Sequence, residues 1–277
     1  MPRDPNHRFA QDSRESSTLA SLAIADPCED VAREAVAILQ YRGTHLEFEI
    51  ARALASHRDP ARRSLAADIL GQLGWDERTC LEESVDVLLD LLDDADSRVV
   101  AHAATALGFR NHPRAIPRLL RKLSDTDAGV RLGVVHGLST HDDLDAVGGL
   151  IRLTRDDDRD VRNWATFGVG SLTDVDTSEV RDALLAQTTE EDDEIRGEAL
   201  IGLARRRHPT ALTLVRDELK RPFAGDWPIE AAELLADATL YSALQAMWES
   251  LSPVDRAHFK RGFDTALDAC RPTEATR

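Results

Sequence analysis

Aromatic residues make up only 5% of this chain, and cysteine occurs three times. A core poor in rings is built instead from Ala and Leu, which suit helix formation and close helix packing. Cys28, Cys80 and Cys270 lie far apart with no Cys-x-x-Cys pair. That argues against a disulfide framework and fits a reducing compartment. No run approaches the roughly 18 apolar residues of a membrane span. No basic-then-apolar opening marks a signal peptide, so the expected location is the cytoplasm. Positive charge is also scarce: 34 Lys and Arg face 50 Asp and Glu, a formal charge of −16. Such a balance disfavours direct nucleic-acid binding, which needs phosphate neutralisation. It leaves room for a basic partner, although an acidic surface also serves solubility alone.

Signals of chemistry are equally sparse. No Gly-x-Gly-x-x-Gly, Walker-type loop, Gly-x-Ser-x-Gly or His-Glu-x-x-His occurs. His136 and His141 precede Asp142 and Asp143, a metal set by residue type. They fall at a helix end, however, where capping carboxylates are the commoner explanation. No catalytic residue, metal site or cofactor is expected.

What is present is a repeat. Seven segments share an acidic turn, an aliphatic anchor, often Arg, then spaced small and apolar residues, as in DADSRVVAHAATALG and DDDRDVRNWATFGVG. The anchors are Val31, Arg62, Val99, Val130, Val161, Ile195 and Trp227, at spacings of 31, 37, 31, 31, 34 and 32 residues. The long spacing coincides with an extra polar stretch, 75–82, read as a loop insertion. Counted from each anchor, positions four, seven and eight are small or aliphatic and share one stripe of a helix. A second amphipathic stretch precedes each acidic turn, for example 116–123, 145–153, 179–187 and 211–219. Each unit is therefore a helical hairpin, and units of this size must bury their apolar faces on one another.

The acidic turns have a local explanation. Asp59, Asp96, Asp127, Asp158 and Asp192 each sit three residues before an anchor, where a carboxylate caps the helix. Arg63, Arg131, Arg162 and Arg196 each follow an anchor and are expected to form an Asp/Arg ladder along the stack. Gly71 and Gly108 read as helix-end signals. Gly133, Gly137, Gly168 and Gly202 read as points of close helix approach.

The acidic turn, Val-Arg, spaced alanines and Leu-Gly resemble HEAT repeats of the short bacterial kind, also found in phycobilisome-lyase-like proteins. The resemblance covers roughly residues 14–250. It implies an all-α fold: a right-handed α-solenoid of about seven two-helix repeats, with second helices lining a concave face. The expected organisation is a disordered segment at 1–13, repeats over 14–239, capping helices over 240–270 and a loose tail at 271–277. The stripe Leu244, Met247, Trp248 and Leu251 is expected to cover the last repeat.

Offsets two, three and six from each anchor fall on or beside that face. Copy five is exceptional, placing Trp164 and Phe167 one turn apart beside Asn163. His102 and His136 lie on adjacent units, and Glu198 and Ile201 occupy the same offsets in copy six. These seven residues form the candidate partner-binding set, since Trp dominates interface energetics. For Trp164 two readings stand, an exposed anchor or a filler between tightly spaced repeats. The expected function is a non-catalytic, monomeric interaction scaffold or adaptor binding a protein or peptide, basic in character, with an inhibitor or immunity-type protein as the sharper form. The alternative is a lyase or other enzyme resembling the bilin lyases or solenoid glycosylases of the HEAT-like group. That alternative rests on fold analogy.

Overall fold

The computed structural model describes residue 9 and residues 11–25, 30–223 and 225–272. Every regular element among them is helical, and no strand occurs. The chain divides into two compact units, Met1–His141 and Asp142–Arg277.

The N-terminal unit contains α1 (Ser16–Ala25), α2 (Asp30–Arg42), α3 (His45–Ala55), α4 (Pro60–Gly71), α5 (Leu81–Leu91), α6 (Ser97–Arg110), α7 (Ile116–Leu119) and α8 (Ala128–Leu138). Short 3-10 turns at Pro113–Ala115 and Leu120–Lys122 flank α7. The even-numbered members are the second helices of their repeats. They stack on one another in order, α2 on α4, α4 on α6 and α6 on α8. The C-terminal unit repeats the plan with α9 (Leu144–Leu153), α10 (Arg159–Phe167), α11 (Ser178–Gln187), α12 (Asp193–Arg205), α13 (Ala211–Glu218) and α14 (Trp227–Leu235). It ends with α15 (Tyr241–Ser250) and α16 (Pro253–Ala269), the latter packed on α14. This is an α-solenoid built from helical hairpins.

The second helices α4, α6, α8, α10 and α12 start in the same way, because the turn before each carries its own hydrogen-bonding kit. Asp59, Asp96, Asp127, Asp158 and Asp192 all cap the helices that follow, accepting from backbone N–H groups at 3.0–3.2 Å. Two residues earlier, Asp94, Asp125 and Asp156 accept the backbone N–H of the capping Asp at 2.9, 3.1 and 2.9 Å. The doubled acid is thus an Asx turn followed by a cap.

The arginines do more than link one repeat to the next acid. Arg63, Arg131, Arg162 and Arg196 each donate Nη1 to the carbonyl six residues back, at 2.7–2.9 Å. They thereby clamp the acidic turn of their own repeat. Arg63 also pairs with Asp94 of the next turn at 2.6 and 2.8 Å, Arg162 lies 4.0 Å from Glu190 of the next turn, and Arg196 pairs with Glu218 of the following repeat at 2.8 Å. The carbonyls at a reversed chain need donors, and a forked guanidinium supplies several at once.

Close packing of α6 on α8 explains two glycines. A Cβ on Gly133 would lie 2.5 Å from the Ala101 carbonyl oxygen, and one on Gly108 would lie 2.5 Å from that of His136. Gly108 is therefore not the helix end expected from the sequence. α6 runs two residues further and is closed by Asn111 in the left-handed conformation, φ 44°. The inserted loop expected after α4 is present, and Trp75, Arg78 and Cys80 in it all have positive φ.

At the start of the chain, Phe9 is buried with its ring 6.1 Å from that of Tyr41. Arg42 donates to the carbonyl oxygen of Asp12 at 2.9 Å. The rest of the expected loose segment 1–13, residues 1–8 and 10, lies outside the described residues. So do Cys28 with the first acidic turn, and residues 273–277 of the expected tail. At the other end, Leu244, Met247 and Leu251 join Ile229, Phe263 and Cys270 in one apolar cluster, with Trp248 against it.

Candidate partner-binding faces

In the N-terminal unit, the stacked faces of α2, α4 and α6 enclose a groove of about 510 Å³. Arg33, Ala37, Leu65, Asp68 and His102 line it, all at the offsets singled out from the repeat. Phe109 stands exposed at its wall. Asp68 and His102, 34 residues apart, meet at 2.6 Å between Oδ1 and Nδ1. The hydrogen bond to Asp68 holds the His102 imidazolium above the usual histidine range, against an opposing desolvation. His102 is the one member of the candidate set found in this groove. His136, on α8, is half-buried and lies outside its lining; burial pushes its protonation down.

The other five candidates belong to the C-terminal unit. Trp164 is 43% exposed, and its ring meets that of Phe167 edge-on, centroids 5.7 Å apart. An exposed Trp on a second helix is therefore observed. Asn163 and Ile201 are corrections to the expected contact surface, being 6% and 3% exposed. Ile201 turns inward because it packs with Leu200, Val215 and Ile229 in the terminal apolar cluster. Asn163 is buried on the side of α10 that faces its neighbours, with its Oδ1 lacking a hydrogen-bond donor.

Glu198 is half-buried on α12. Its Oε1 accepts from the indole N–H of Trp227 at 3.1 Å, while Oε2 is buried without a well-formed hydrogen bond. Desolvation pushes the carboxyl up to about 7, and Glu230 and Glu194 add to the shift. The Trp227 indole and the Ser171 hydroxyl oppose it. Trp227 was not singled out from the sequence as a site residue. Its signal was visible, since an aliphatic anchor is replaced there by the largest side chain. Gly197 makes room for it: a Cβ on Gly197 would lie 2.4 Å from the Trp227 ring.

The His-Asp run at 141–143 is occupied structurally. Asp143 caps α9, and Asp142 accepts from the Thr173 hydroxyl at 2.8 Å. Among the described residues no group of three or more His, Cys, Asp or Glu could hold a metal. No described helix is long and apolar enough to cross a membrane.

A family model described as HEAT repeats matches residues 16–105 and 85–170. The chain belongs to the HEAT-repeat family. It is 31% identical over 217 residues to protein YibA of Escherichia coli strain K12, covering 76% of this chain and 77% of that protein. The X-ray structure of the E. coli YibA protein superposes with a TM-score of 0.70 at 25% identity, covering 99% of each chain. Two further solenoids share the fold alone. One is the complex of CpcE and CpcF of phycocyanin lyase from Nostoc sp. PCC7120, with a TM-score of 0.50, 16% identity and 98% of each chain covered. The other is Kap95p bound to RanGDP, with a TM-score of 0.58 and 17% identity over 95% of this chain and 42% of that one.

Proposed function

We propose that this HEAT-repeat protein is a non-catalytic interaction scaffold whose C-terminal unit binds a basic segment of a partner protein. The observation that carries the reading is the exposed Trp164 with Phe167 edge-on beside it. At the matching offsets of the next two repeats stand Glu198, Glu230 and Glu233. Large exposed aromatics are the side chains that anchor interfaces, and a carboxylate rim selects a cationic partner and speeds its approach. The fold agrees, since CpcE with CpcF and Kap95p with RanGDP are complexes between proteins. The enzyme alternative rests on fold analogy alone, and the repeated turn aspartates are helix caps.

The test compares wild type with the W164A/F167A double variant in affinity capture from the native host, followed by salt titration. A partner held by wild type, lost by the double variant and released as salt rises is the expected result. Capture of the same proteins by both forms would defeat the reading.

A further inference from the structure

The groove of the N-terminal unit has no part in the partner face proposed above, and it is built as a ligand site. Its volume of about 510 Å³ lies within the range of about 300–1,000 Å³ that holds small organic molecules. Val36 from α2, Leu65 from α4 and the exposed ring of Phe109 from α6 give it apolar walls. Its polar groups converge on one residue, Asp68 of α4. Asp68 Oδ1 meets His102 Nδ1 at 2.6 Å, and the Asp68 carbonyl accepts from Gln40 Nε2 at 2.8 Å. Ser64 stands one turn before Asp68 on the same face of α4, and Arg98 one turn before His102 on α6. The two helices stack, with Arg63 tied to Asp94 at their starting ends. The Asp68–His102 contact fixes their register and brings Ser64 across from Arg98, and all four residues line the groove.

Donors are left over in this corner. Ser64 is 9% exposed, yet its hydroxyl makes no hydrogen bond among the described residues. A helical serine commonly bonds back to the carbonyl four residues earlier, and this one does not. His102 gives Nδ1 to Asp68, and its Nε2 has no acceptor among the described residues. Polar groups buried to this degree are nearly always paired, so the free hydroxyl marks a place where an acceptor arrives from outside.

The charge of the lining differs from that of the chain. Three cations, Arg33, Arg98 and His102, stand there against two carboxylates, Asp59 and Asp68, in a chain of formal charge −16. Both carboxylates are engaged. Asp59 caps α4 at 3.0 Å, and Asp68 holds the His102 ring protonated above the usual histidine range. Arg33 and Arg98 pair with Asp30 and Asp96. Those pairs are exposed, and such pairs exchange partners at little cost.

We infer that this groove binds a small organic acid, its carboxylate held by Arg98, His102 and the Ser64 hydroxyl and its apolar body lying along Val36, Leu65 and Phe109. An ionised carboxylate only accepts hydrogen bonds, and these three groups donate them. The inference is independent of the basic-partner reading of the C-terminal unit.

The experiment is calorimetric titration of the full chain at pH 6 with three eight-carbon probes, octanoate, octanol and octyltrimethylammonium. They share the apolar body and differ in the charge of the head. Octanoate should bind about tenfold more tightly than octanol, and octyltrimethylammonium should not bind measurably. H102Q should bring octanoate down to the affinity of octanol or below. A37W, which fills the groove from α2, should abolish binding of octanoate and octanol alike. If A37W does not fold, the order of the three probes and its loss in H102Q decide alone. Octanol binding as tightly as octanoate, or H102Q keeping the preference, overturns the inference. So does tighter binding of octyltrimethylammonium, which would make the groove a site for cations, and so does an absence of binding by all three probes at millimolar concentration.

Discussion

The guanidinium of Arg206 donates to the carbonyl oxygen of Gly170 at 2.9 Å, across 36 residues of sequence. It reaches four more carbonyl groups, those of Val169, Gly202, Thr173 and Val175, at 2.9–3.2 Å. Gly168–Leu172 forms a π-helical turn after α10, and two of these carbonyls, Val169 and Gly170, belong to it. Burial lowers the basicity of this guanidinium, yet a group of such high intrinsic pKa stays charged. Arg110 does the same in the N-terminal unit, donating to Leu73 at 2.9 Å. Replacing Arg206 by Ala strands several buried acceptors and should cost about 3 kcal/mol. Denaturant unfolding of the full chain measures it, and a loss below about 1 kcal/mol would show that water replaces the side chain.

Glu198 makes stability depend on pH. Its folded pKa, about 7, lies above the ordinary 4.5, so the folded protein holds the proton more tightly than the unfolded chain does. The stabilisation is whole below pH 4.5, declines as pH rises and is gone above about 7. On a linkage scale the loss reaches about 3 kcal/mol. E198Q cannot ionise, so its melting temperature should exceed that of wild type at pH 8 and converge on it near pH 4.5. Thermal melts across that range check this, and parallel curves for the two proteins would contradict it.

His102 behaves with the opposite charge and a related logic. The bond to Asp68 raises its folded pKa above 6.5. The stability this pair contributes is present below pH 6.5 and is lost as pH rises through the folded value. D68N should lower the His102 midpoint, read from the imidazole proton shifts in an NMR titration. An unmoved midpoint would mean that the contact at 2.6 Å does not persist in solution.

Trp164 tests whether an aromatic on a second helix is a contact or a filler. Because 43% of it is exposed, W164A should cost about 1 kcal/mol or less. A much larger loss, seen as a collapse of the melting temperature, would mean that the ring fills space between repeats.

The helical hairpins and their caps were legible because period and capping are local: Asp59, Asp96, Asp127, Asp158 and Asp192 act within three residues of themselves. The offsets marking the second-helix face were equally legible, since Leu65, Asp68 and His102 line the groove as their spacing suggests. What escaped depends on contacts between repeats. Ile201 shares its offset with Phe167, yet it is drawn inward by neighbours from α13 and α14 that no single copy announces. For the arginine after each anchor only half of the role was legible: the charge that pairs with an acid of the next repeat at Arg63 and Arg196 is visible in sequence, whereas the carbonyls it clamps are not.

Gly133 gives the strictest test of how tightly the repeats are stacked, because two effects of its replacement by Ala oppose each other. Mid-helix Gly→Ala favours the helix by about 1 kcal/mol through propensity alone. Against this, the new Cβ would stand 2.5 Å from the Ala101 carbonyl oxygen and 3.1 Å from its Cα. These are backbone atoms of α6, which cannot rotate aside as a side chain would. α6 and α8 must separate, and overpacking of this kind costs roughly 1–3 kcal/mol. Steric overlap should win, so G133A is expected to unfold at lower denaturant than wild type. A variant more stable than wild type would show that the two helices have room to part. G148A supplies the control: Gly148 lies within α9, where a Cβ would meet nothing within 4 Å. Without a clash the propensity gain stands alone, so G148A should stabilise by up to about 1 kcal/mol.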